Sequence, residues 1–213
     1  MTVLLLIRHA HTDTAGRRLT GWERGVHLNE RGRTQAAELA ERLDGVPIRA
    51  ICSSPLERCR ETAAPLARAL GIAVSIRRAL IEVDYGDWTG RSIAGLRRTK
   101  LWSVVQHAPS RTRFPGGESL LEVQARAVAE VERIALAHSR DAVAIVTHAD
   151  VVRLLLLHYA GMHLDHLQRL VVDPASASVL VLGEGPARLV KVNDTGGLGA
   201  LVPRRPARPR VGG

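Results

Sequence analysis

Short, fully apolar runs alternate along this chain with longer amphipathic segments, and this alternation restricts the fold more than any other feature. The apolar runs at residues 3–7, 50–52 and 142–146 are typical of strands buried on both faces of a sheet. Residues 30–43 and 119–138 instead carry aliphatic side chains at helical spacing. The pattern predicts an α/β fold of three layers, α/β/α, with a mostly parallel central sheet between the helices.

Helix boundaries are indicated by capping residues. Ser54 with Glu57 and Ser119 with Glu122 form two Ser-x-x-Glu capping boxes, and each predicts the start of a helix. Gly71 is expected to end the first of these helices, and a further helix is expected at about residues 149–159. Four more strands are predicted, the last two as a hairpin-like pair, at residues 73–76, 79–81, 179–182 and 188–192.

The composition is that of a globular protein, with 46% hydrophobic and 24% charged residues among 213. The apolar runs are too short to span a bilayer, so no membrane contact is expected. Arg8 and His9 interrupt the first run before a signal-peptide cleavage site. Two cysteines, interpreted as small buried side chains, suffice neither for a disulfide framework nor for a multi-cysteine metal site. We expect a cytoplasmic domain at residues 1–195.

Residues 196–213 are rich in proline, arginine and glycine, and we predict a disordered tail there. Four arginines near the C-terminus contribute to the formal net charge of +9. Nucleic-acid binding through this tail is an alternative, but aromatic residues for base stacking make up only 3% of the chain. A nucleic-acid partner is therefore not expected, and a homo-oligomer is compatible with the sequence.

Polar side chains suited to phosphate chemistry follow four of the apolar runs. In an open α/β sheet, ligands bind at the carboxyl ends of the strands, so these side chains are expected to converge. Together they can hold a tetrahedral dianion, offer an imidazole nucleophile and supply one proton donor. Any one of them alone is more commonly a surface or structural residue, and it is the set that predicts a site. The set is Arg8, His9, Arg58, Glu82 and His148.

Four sequence motifs occur in order, at residues 8–12, 53–63, 82–90 and 146–149. The first reads Arg-His-Ala-His-Thr, and the last reads Val-Thr-His-Ala. Together they resemble the motifs of the histidine phosphatase superfamily, in its phosphoglycerate-mutase-like branch 1, and the resemblance covers about residues 2–193. It implies the phosphoglycerate mutase-like α/β fold, and it implies neither a metal ion nor a cofactor.

The resemblance also implies a role for each residue of the set. His9 is expected to be the nucleophile that forms a phosphohistidine, and Glu82 is expected to protonate the leaving oxygen. Arg8, Arg58 and His148 are expected to hold the phosphoryl oxygens and stabilise the transition state. The expected substrate-binding residues are Arg8, Thr20, Gly21, Arg58, Tyr85, His148 and Ala149.

Three positions depart from the family pattern. Ala10 and Ala149 stand where the family carries glycine, and each methyl group is expected near the pocket floor, where it would either narrow the pocket or alter how the backbone approaches phosphate. Ala15 stands where the mutases carry asparagine. These departures bear on substrate identity rather than on the chemistry.

The motif at residues 85–90, Tyr-Gly-Asp-Trp-Thr-Gly, is similar to that of the phosphatase branch, and the chain between Gly90 and Phe114 is too short for the mutase insertion. The sequence therefore predicts a metal-independent phosphomonoester hydrolase for a small phosphorylated metabolite. Mutase-type phosphotransfer and a catalytically silent phosphate-binding domain are the alternatives, and a metal site at His158, His163, Asp165 and His166 is another. A second anionic group of the substrate has candidate partners in Arg17, Arg18, Arg97, Arg98, Arg111 and Arg113.

Overall fold

A six-stranded sheet forms the centre of the protein in a computed structural model that describes residues 1–196. The strands are β1 (Thr2–Arg8), β2 (Ile48–Ser53), β3 (Val74–Ile76), β4 (Ala142–Thr147), β5 (Ala177–Leu182) and β6 (Arg188–Asp194). Their order across the sheet is β3-β2-β4-β1-β5-β6. The first four strands are parallel to one another. Strand β5 pairs with β1 in the antiparallel direction, and β6 pairs with β5 in the antiparallel direction. The prediction of a mostly parallel sheet is thus confirmed.

Helices cover both faces of this sheet. They are α1 (Glu30–Arg42), α2 (Glu57–Leu70), α3 (Ile93–Leu96), α4 (Lys100–His107), α5 (Leu120–Ala137) and α6 (Ala149–Tyr159). Successive side chains of a strand point to opposite faces. In β1, Leu4 and Leu6 therefore pack in the core with α5 and α6, while Leu5 and Ile7 pack in the core with α1 and α2. Both faces of β1 are buried, and three layers result.

One of the two predicted capping boxes is confirmed. The Ser119 hydroxyl accepts the Glu122 N–H, and the Glu122 carboxylate accepts the Ser119 N–H, at the start of α5. The prediction of a capping box at Ser54 is wrong, because α2 begins at Glu57 after Leu56, which makes no side-chain cap. The Ser54 hydroxyl is instead hydrogen-bonded within the candidate site. Gly71 ends α2 with a φ of 65°, as expected.

The predicted strand at residues 79–81 is also wrong. A 3₁₀ turn, Arg78–Leu80, occupies this position. The Arg126 guanidinium donates hydrogen bonds to the carbonyl groups of Ala79 and Ile81 at 2.8 Å each. These carbonyl groups therefore have partners without a neighbouring strand. Glu82 consequently lies in a loop and not at the end of a strand.

Residues 91–117 fold over the carboxyl edge of the sheet through α3, α4 and a 3₁₀ turn, Pro109–Arg111. Side chains of this segment line the candidate site. The predicted tail at 196–213 falls almost wholly outside the described residues and stays a prediction. In residues 1–196, no helix combines the length and the apolar character that crossing a membrane requires.

Candidate active site

The pairing of two parallel strands brings His9 and His148 together. Arg8 at the end of β1 lies opposite Thr147 at the end of β4, and the His9 N–H donates to the Thr147 carbonyl at 2.8 Å. Both histidines follow directly on these strand ends, and their ring centroids lie 5.3 Å apart. The carboxyl edge of the sheet thus carries two imidazoles side by side, at the position expected for a ligand site.

His9 presents a defined tautomer. Its Nδ1 donates to the Ala10 carbonyl at 2.8 Å, so Nε2 carries the lone pair. Burial lowers the pKa of His9 well below its usual value, and the positive charges of Arg58 and Arg8 lower it further. The imidazole is therefore neutral, and Nε2 is available for nucleophilic attack.

Thr62 of α2 fixes the turn that carries His9. Its hydroxyl oxygen accepts the Ala10 N–H at 2.9 Å, and the hydroxyl donates to the Arg58 carbonyl at 2.7 Å. The Ala10 methyl packs in a small buried cluster with Leu28 and Ala36 rather than in the cavity. The expectation that this methyl narrows the pocket is therefore wrong for Ala10, whereas Ala149 does line the cavity.

Arg8 and Arg58 bring two guanidinium groups to the site. Arg8 lines the cavity and donates from Nη1 to the Val172 carbonyl at 2.6 Å. Arg58 is fully buried, and its Nη2 donates to the Gly21 carbonyl at 2.8 Å. The Nε atoms of both arginines are buried and have no hydrogen-bond partner within the described residues.

Gly21, predicted to bind substrate, lies behind the cavity wall. A Cβ atom there would lie 3.0 Å from the Tyr85 ring and 3.1 Å from the Val83 carbonyl, so a side chain does not fit. Its carbonyl holds Arg58. Thr20, Tyr85 and Ala149 do line the cavity, while Arg58 and His148 lie buried directly behind it.

Glu82 is buried beside these cations. Its Oε2 lies 3.9 Å from Nδ1 of His148, and its Oε1 accepts the Val83 N–H at 3.0 Å. Burial is the main cause that raises the pKa of Glu82 to about 7, and the Asp150 carboxylate adds to it. The carboxyl group can therefore hold a proton near neutral pH and release it within the site.

His148 is completely buried and is oriented by Ser54. The Ser54 hydroxyl oxygen accepts the Leu56 N–H at 3.4 Å, and the hydroxyl lies 2.8 Å from Nε2 of His148. A serine hydroxyl can donate to this nitrogen, which places the ring proton on Nδ1, the nitrogen that lies 3.9 Å from Glu82. Burial and the charge of Arg58 lower the pKa of His148 well below its usual value, so the ring is a neutral hydrogen-bond donor.

Asp150 and Arg153 were not identified from the sequence. Asp150 accepts the Tyr85 hydroxyl at 2.7 Å and pairs with Arg153 at 3.1 Å, and both residues line the cavity. A signal was present, because Asp150 follows Ala149 in the last motif and Arg153 lies three residues further along the same helix face. Ser54 was missed because its pattern fitted a helix cap.

The cavity has a volume of about 300 Å³. Arg8, His9 and Glu82 lie at one end, which we call the phosphate end. The cavity is also lined by apolar side chains, Leu19, Trp88, Ile93, Trp102, Val105 and Phe114, and by uncharged polar side chains that include Thr12, Thr14, Gln106 and Gln168. A tetrahedral anion and an organic group can thus occupy one continuous cavity.

The alternative metal site has little geometric support. His163 pairs with Asp165 at 3.3 Å, and Asp165 accepts the Ser110 N–H at 2.8 Å. Within the described part of the chain, no three His, Cys, Asp or Glu side chains are grouped as ligands. Of the six arginines considered for a second anion, Arg18 lines the cavity, where it pairs with Glu23 at 2.6 Å.

Comparison with known proteins agrees with this geometry. The family model of the histidine phosphatase superfamily (branch 1) matches residues 4–195. Phosphoserine phosphatase 1 of Hydrogenobacter thermophilus is 30% identical over 207 residues, which cover 93% of this chain and 95% of that protein. A bifunctional protein of Mycobacterium tuberculosis is 34% identical over 201 residues, and the match spans 92% of this chain but 54% of that protein.

Two solved structures have a similar fold. YhfR of Bacillus stearothermophilus has a TM-score of 0.86 at 30% identity, over 91% of this chain and 98% of that one. A mycobacterial glucosyl-3-phosphoglycerate phosphatase has a TM-score of 0.80 at 26% identity, over 90% of this chain and 98% of that one. With its motifs, fold and family match in agreement, the chain belongs to branch 1 of the histidine phosphatase superfamily.

Proposed function

We propose that this protein hydrolyses phosphomonoesters, without a metal ion, through a phosphohistidine on His9. One observation carries the proposal: Nε2 of a neutral, buried His9 faces the cavity beside Arg8, with a protonatable Glu82 on the same wall. The phosphatase names among its relatives support the same reaction class. A cavity of about 300 Å³ suits a small phosphorylated metabolite.

In the first half of the reaction, Nε2 of His9 attacks phosphorus as the bond to the ester oxygen breaks. Glu82 gives its proton to that oxygen, and the alcohol leaves. In the second half, water attacks the phosphohistidine, and the Glu82 carboxylate takes one of its protons. The P–N bond breaks, inorganic phosphate forms, and both His9 and Glu82 return to their starting states.

Arg8, Arg58 and the neutral His148 are proposed to hold the three phosphoryl oxygens. The two guanidinium groups offset the charge of the dianion and can donate hydrogen bonds to its oxygens. The Nδ1–H of His148 adds a donor without adding charge. The negative charge that collects in the transition state is therefore met by groups that are already in place.

Hydrolysis is favoured over mutase chemistry because residues 91–117 form only short helices over the site and include no mutase-type insertion. A silent phosphate-binding domain is the remaining alternative, and the complete catalytic set argues against it. We also infer a cytoplasmic location, since Cys52 and Cys59 are both buried, unpaired thiols.

The test is hydrolysis of p-nitrophenyl phosphate between pH 5 and 8, in EDTA, by wild type and His9→Ala. We expect activity in wild type and its loss by several orders of magnitude in the variant. His11→Ala is the matched control, because this histidine lies two residues away and does not line the cavity. Activity that survives in His9→Ala, or that EDTA abolishes, would refute the proposal, and phosphate binding without turnover would favour the silent domain.

A further inference from the structure

We propose that the preferred substrate has an uncharged, mostly apolar leaving group, which occupies the walls beyond the phosphate end. This inference rests on the proposed phosphatase function and specifies its substrate class. The part of the cavity concerned is called the apolar chamber, and it is bounded by Leu19, Trp88, Ile93, Trp102, Val105 and Phe114.

The chamber concentrates the aromatic residues of the chain. The sequence holds only three Trp, two Tyr and one Phe, yet Tyr85, Trp88, Trp102 and Phe114 all line this one cavity. Trp88 stacks on Trp102 with centroids 6.3 Å apart and meets Phe114 edge-to-face at 5.5 Å. Rings held against one another in this way form a stiff apolar wall, which gains free energy when a ligand's apolar surface covers it.

The charges around the chamber are already paired. Arg18 is bound to Glu23 at 2.6 Å, and Arg153 is bound to Asp150 at 3.1 Å. The Tyr85 hydroxyl also donates a hydrogen bond to Asp150, so this carboxylate has both Tyr85 and Arg153 as partners. Among the cavity-lining residues of the described chain, Arg8 is the one arginine without an acidic partner, and it lies at the phosphate end.

A carboxylate on the leaving group would therefore meet two cations, Arg18 and Arg153, that already have carboxylate partners, and the one unpartnered donor of Arg153, its Nε, is buried. Entry of such a group would cost its hydration, or would require Arg18 or Arg153 to leave its present partner. An apolar group gives up no hydration of this kind. The chamber thus discriminates against substrates of the phosphoserine type, although a relative named for that substrate is 30% identical to this chain.

The experiment is a series of straight-chain alkyl phosphates, from ethyl to hexyl. The alcohols in this series are nearly equal in acidity, so the chemical step stays constant while apolar surface is added. We expect kcat/KM to rise about three- to four-fold per methylene until the chamber is full. A hexyl phosphate with a terminal carboxylate is expected to fall at least ten-fold below its uncharged parent.

Val105→Asp places a charge in the chamber wall, and we expect kcat/KM of this variant to rise little with the length of the alkyl chain. Val104→Asp is the matched control, because this neighbour on α4 is similarly half-buried and does not line the cavity. The control should keep the full dependence. A flat series in wild type, or a preference for the carboxylated ester, would overturn the inference while leaving the phosphatase proposal intact.

Binding of ligands that are not hydrolysed tests the apolar chamber without any catalytic step. Calorimetry with hexylphosphonate and methylphosphonate, which are not hydrolysed, should show at least ten-fold tighter binding of the longer ligand. That result with no turnover of any ester would refute the phosphatase proposal and retain the chamber as a binding site. Equal affinity for the two phosphonates would overturn the chamber assignment, whatever the enzyme hydrolyses.

Discussion

The hydroxyl of Ser54 lies 2.8 Å from Nε2 of His148, at the fully buried wall behind the phosphate end of the cavity. This contact joins the residue after β2 to the residue after β4, so two neighbouring strands set the orientation of one imidazole. The contact holds the ring in an orientation that places Nδ1 3.9 Å from the Glu82 carboxylate.

Ser54→Ala should lower kcat for p-nitrophenyl phosphate about ten-fold, the loss expected when one hydrogen bond no longer orients the His148 ring. Ser53→Ala is the control, because Ser53 is an equally buried serine whose hydroxyl bonds a carbonyl and does not touch His148. Steady-state kinetics and thermal melting check both variants. Equal losses in the two variants would mean that Ser54 acts through packing alone.

The ratio of the hydrolysis rates of ethyl phosphate and p-nitrophenyl phosphate should depend on pH through the protonation of Glu82. The raised pKa of Glu82, about 7, means that the proton for an alkoxide leaving group is present below pH 7 and is lost above it. Hydrolysis of ethyl phosphate should thus fall about ten-fold per pH unit above 7, relative to p-nitrophenyl phosphate, whose leaving group needs no proton. Because His9 has a lowered pKa, no loss is expected between pH 7 and 5 from its protonation.

Glu82→Gln provides the internal check on this pH dependence. The rate of ethyl phosphate hydrolysis should drop about 10²- to 10⁴-fold, which is the usual contribution of a general acid to the rate. Formation of the phosphohistidine from p-nitrophenyl phosphate, followed as the burst of nitrophenolate, should fall much less. Equal loss in the two reactions would exclude proton donation by Glu82.

Arg126 should be necessary for activity although it does not line the cavity. It donates to the carbonyl groups of Ala79, Ile81 and Glu82 at 2.8 Å each, and it pairs with Glu118 at 2.8 Å. Arg126→Met leaves these carbonyls unpaired, so we expect an unfolding free energy lower by about 2–4 kcal/mol.

The activity of Arg126→Met on ethyl phosphate should fall further than its folded fraction does, because the loop that carries Glu82 is no longer fixed. Arg31→Met is the matched control, because Arg31 is an exposed arginine on helix α1 that does not line the cavity, so its loss should change stability little. Denaturant unfolding and kinetics at a temperature where both variants are folded separate the two effects. Full activity in folded Arg126→Met would contradict the role of Arg126.

The two cysteines should be inert in the folded protein. Both thiols are buried, and burial raises the pKa of Cys59 to about 12. Because the thiolate is the reactive form, iodoacetamide at pH 8 should label neither cysteine in native protein and both in denatured protein. Mass spectrometry measures the uptake, and rapid labelling of the native form would contradict the burial of these thiols.

Periodicity and caps were sufficient to predict the central sheet and the long helices. β1, β4 and α6 are each long enough, and apolar enough, for the local pattern to be decisive. The same pattern gave a wrong prediction at residues 79–81, where three apolar residues resemble a strand. The side chain of Arg126, which is distant in sequence, donates hydrogen bonds to the carbonyl groups of Ala79 and Ile81 instead. The prediction also failed at Ser54 because the local capping pattern competes with a tertiary partner, His148.

The five residues of the predicted catalytic set could be identified because strand ends and motifs mark them in the sequence. The apolar chamber could not, since Leu19 and Trp102 are far apart in the chain and meet only when residues 91–117 fold over the sheet. Asp150 lies between these cases: the sequence places it next to Ala149, but only the structure shows its bond to Tyr85.

Residues 91–117 supply Ile93, Trp102 and Val105 to the cavity but none of the five proposed catalytic side chains. Those five are carried by other parts of the chain, as are Leu19 and Trp88 of the chamber. Substitutions confined to residues 91–117 can therefore change the shape of the space for the organic group while the groups proposed to act on the phosphate keep their positions.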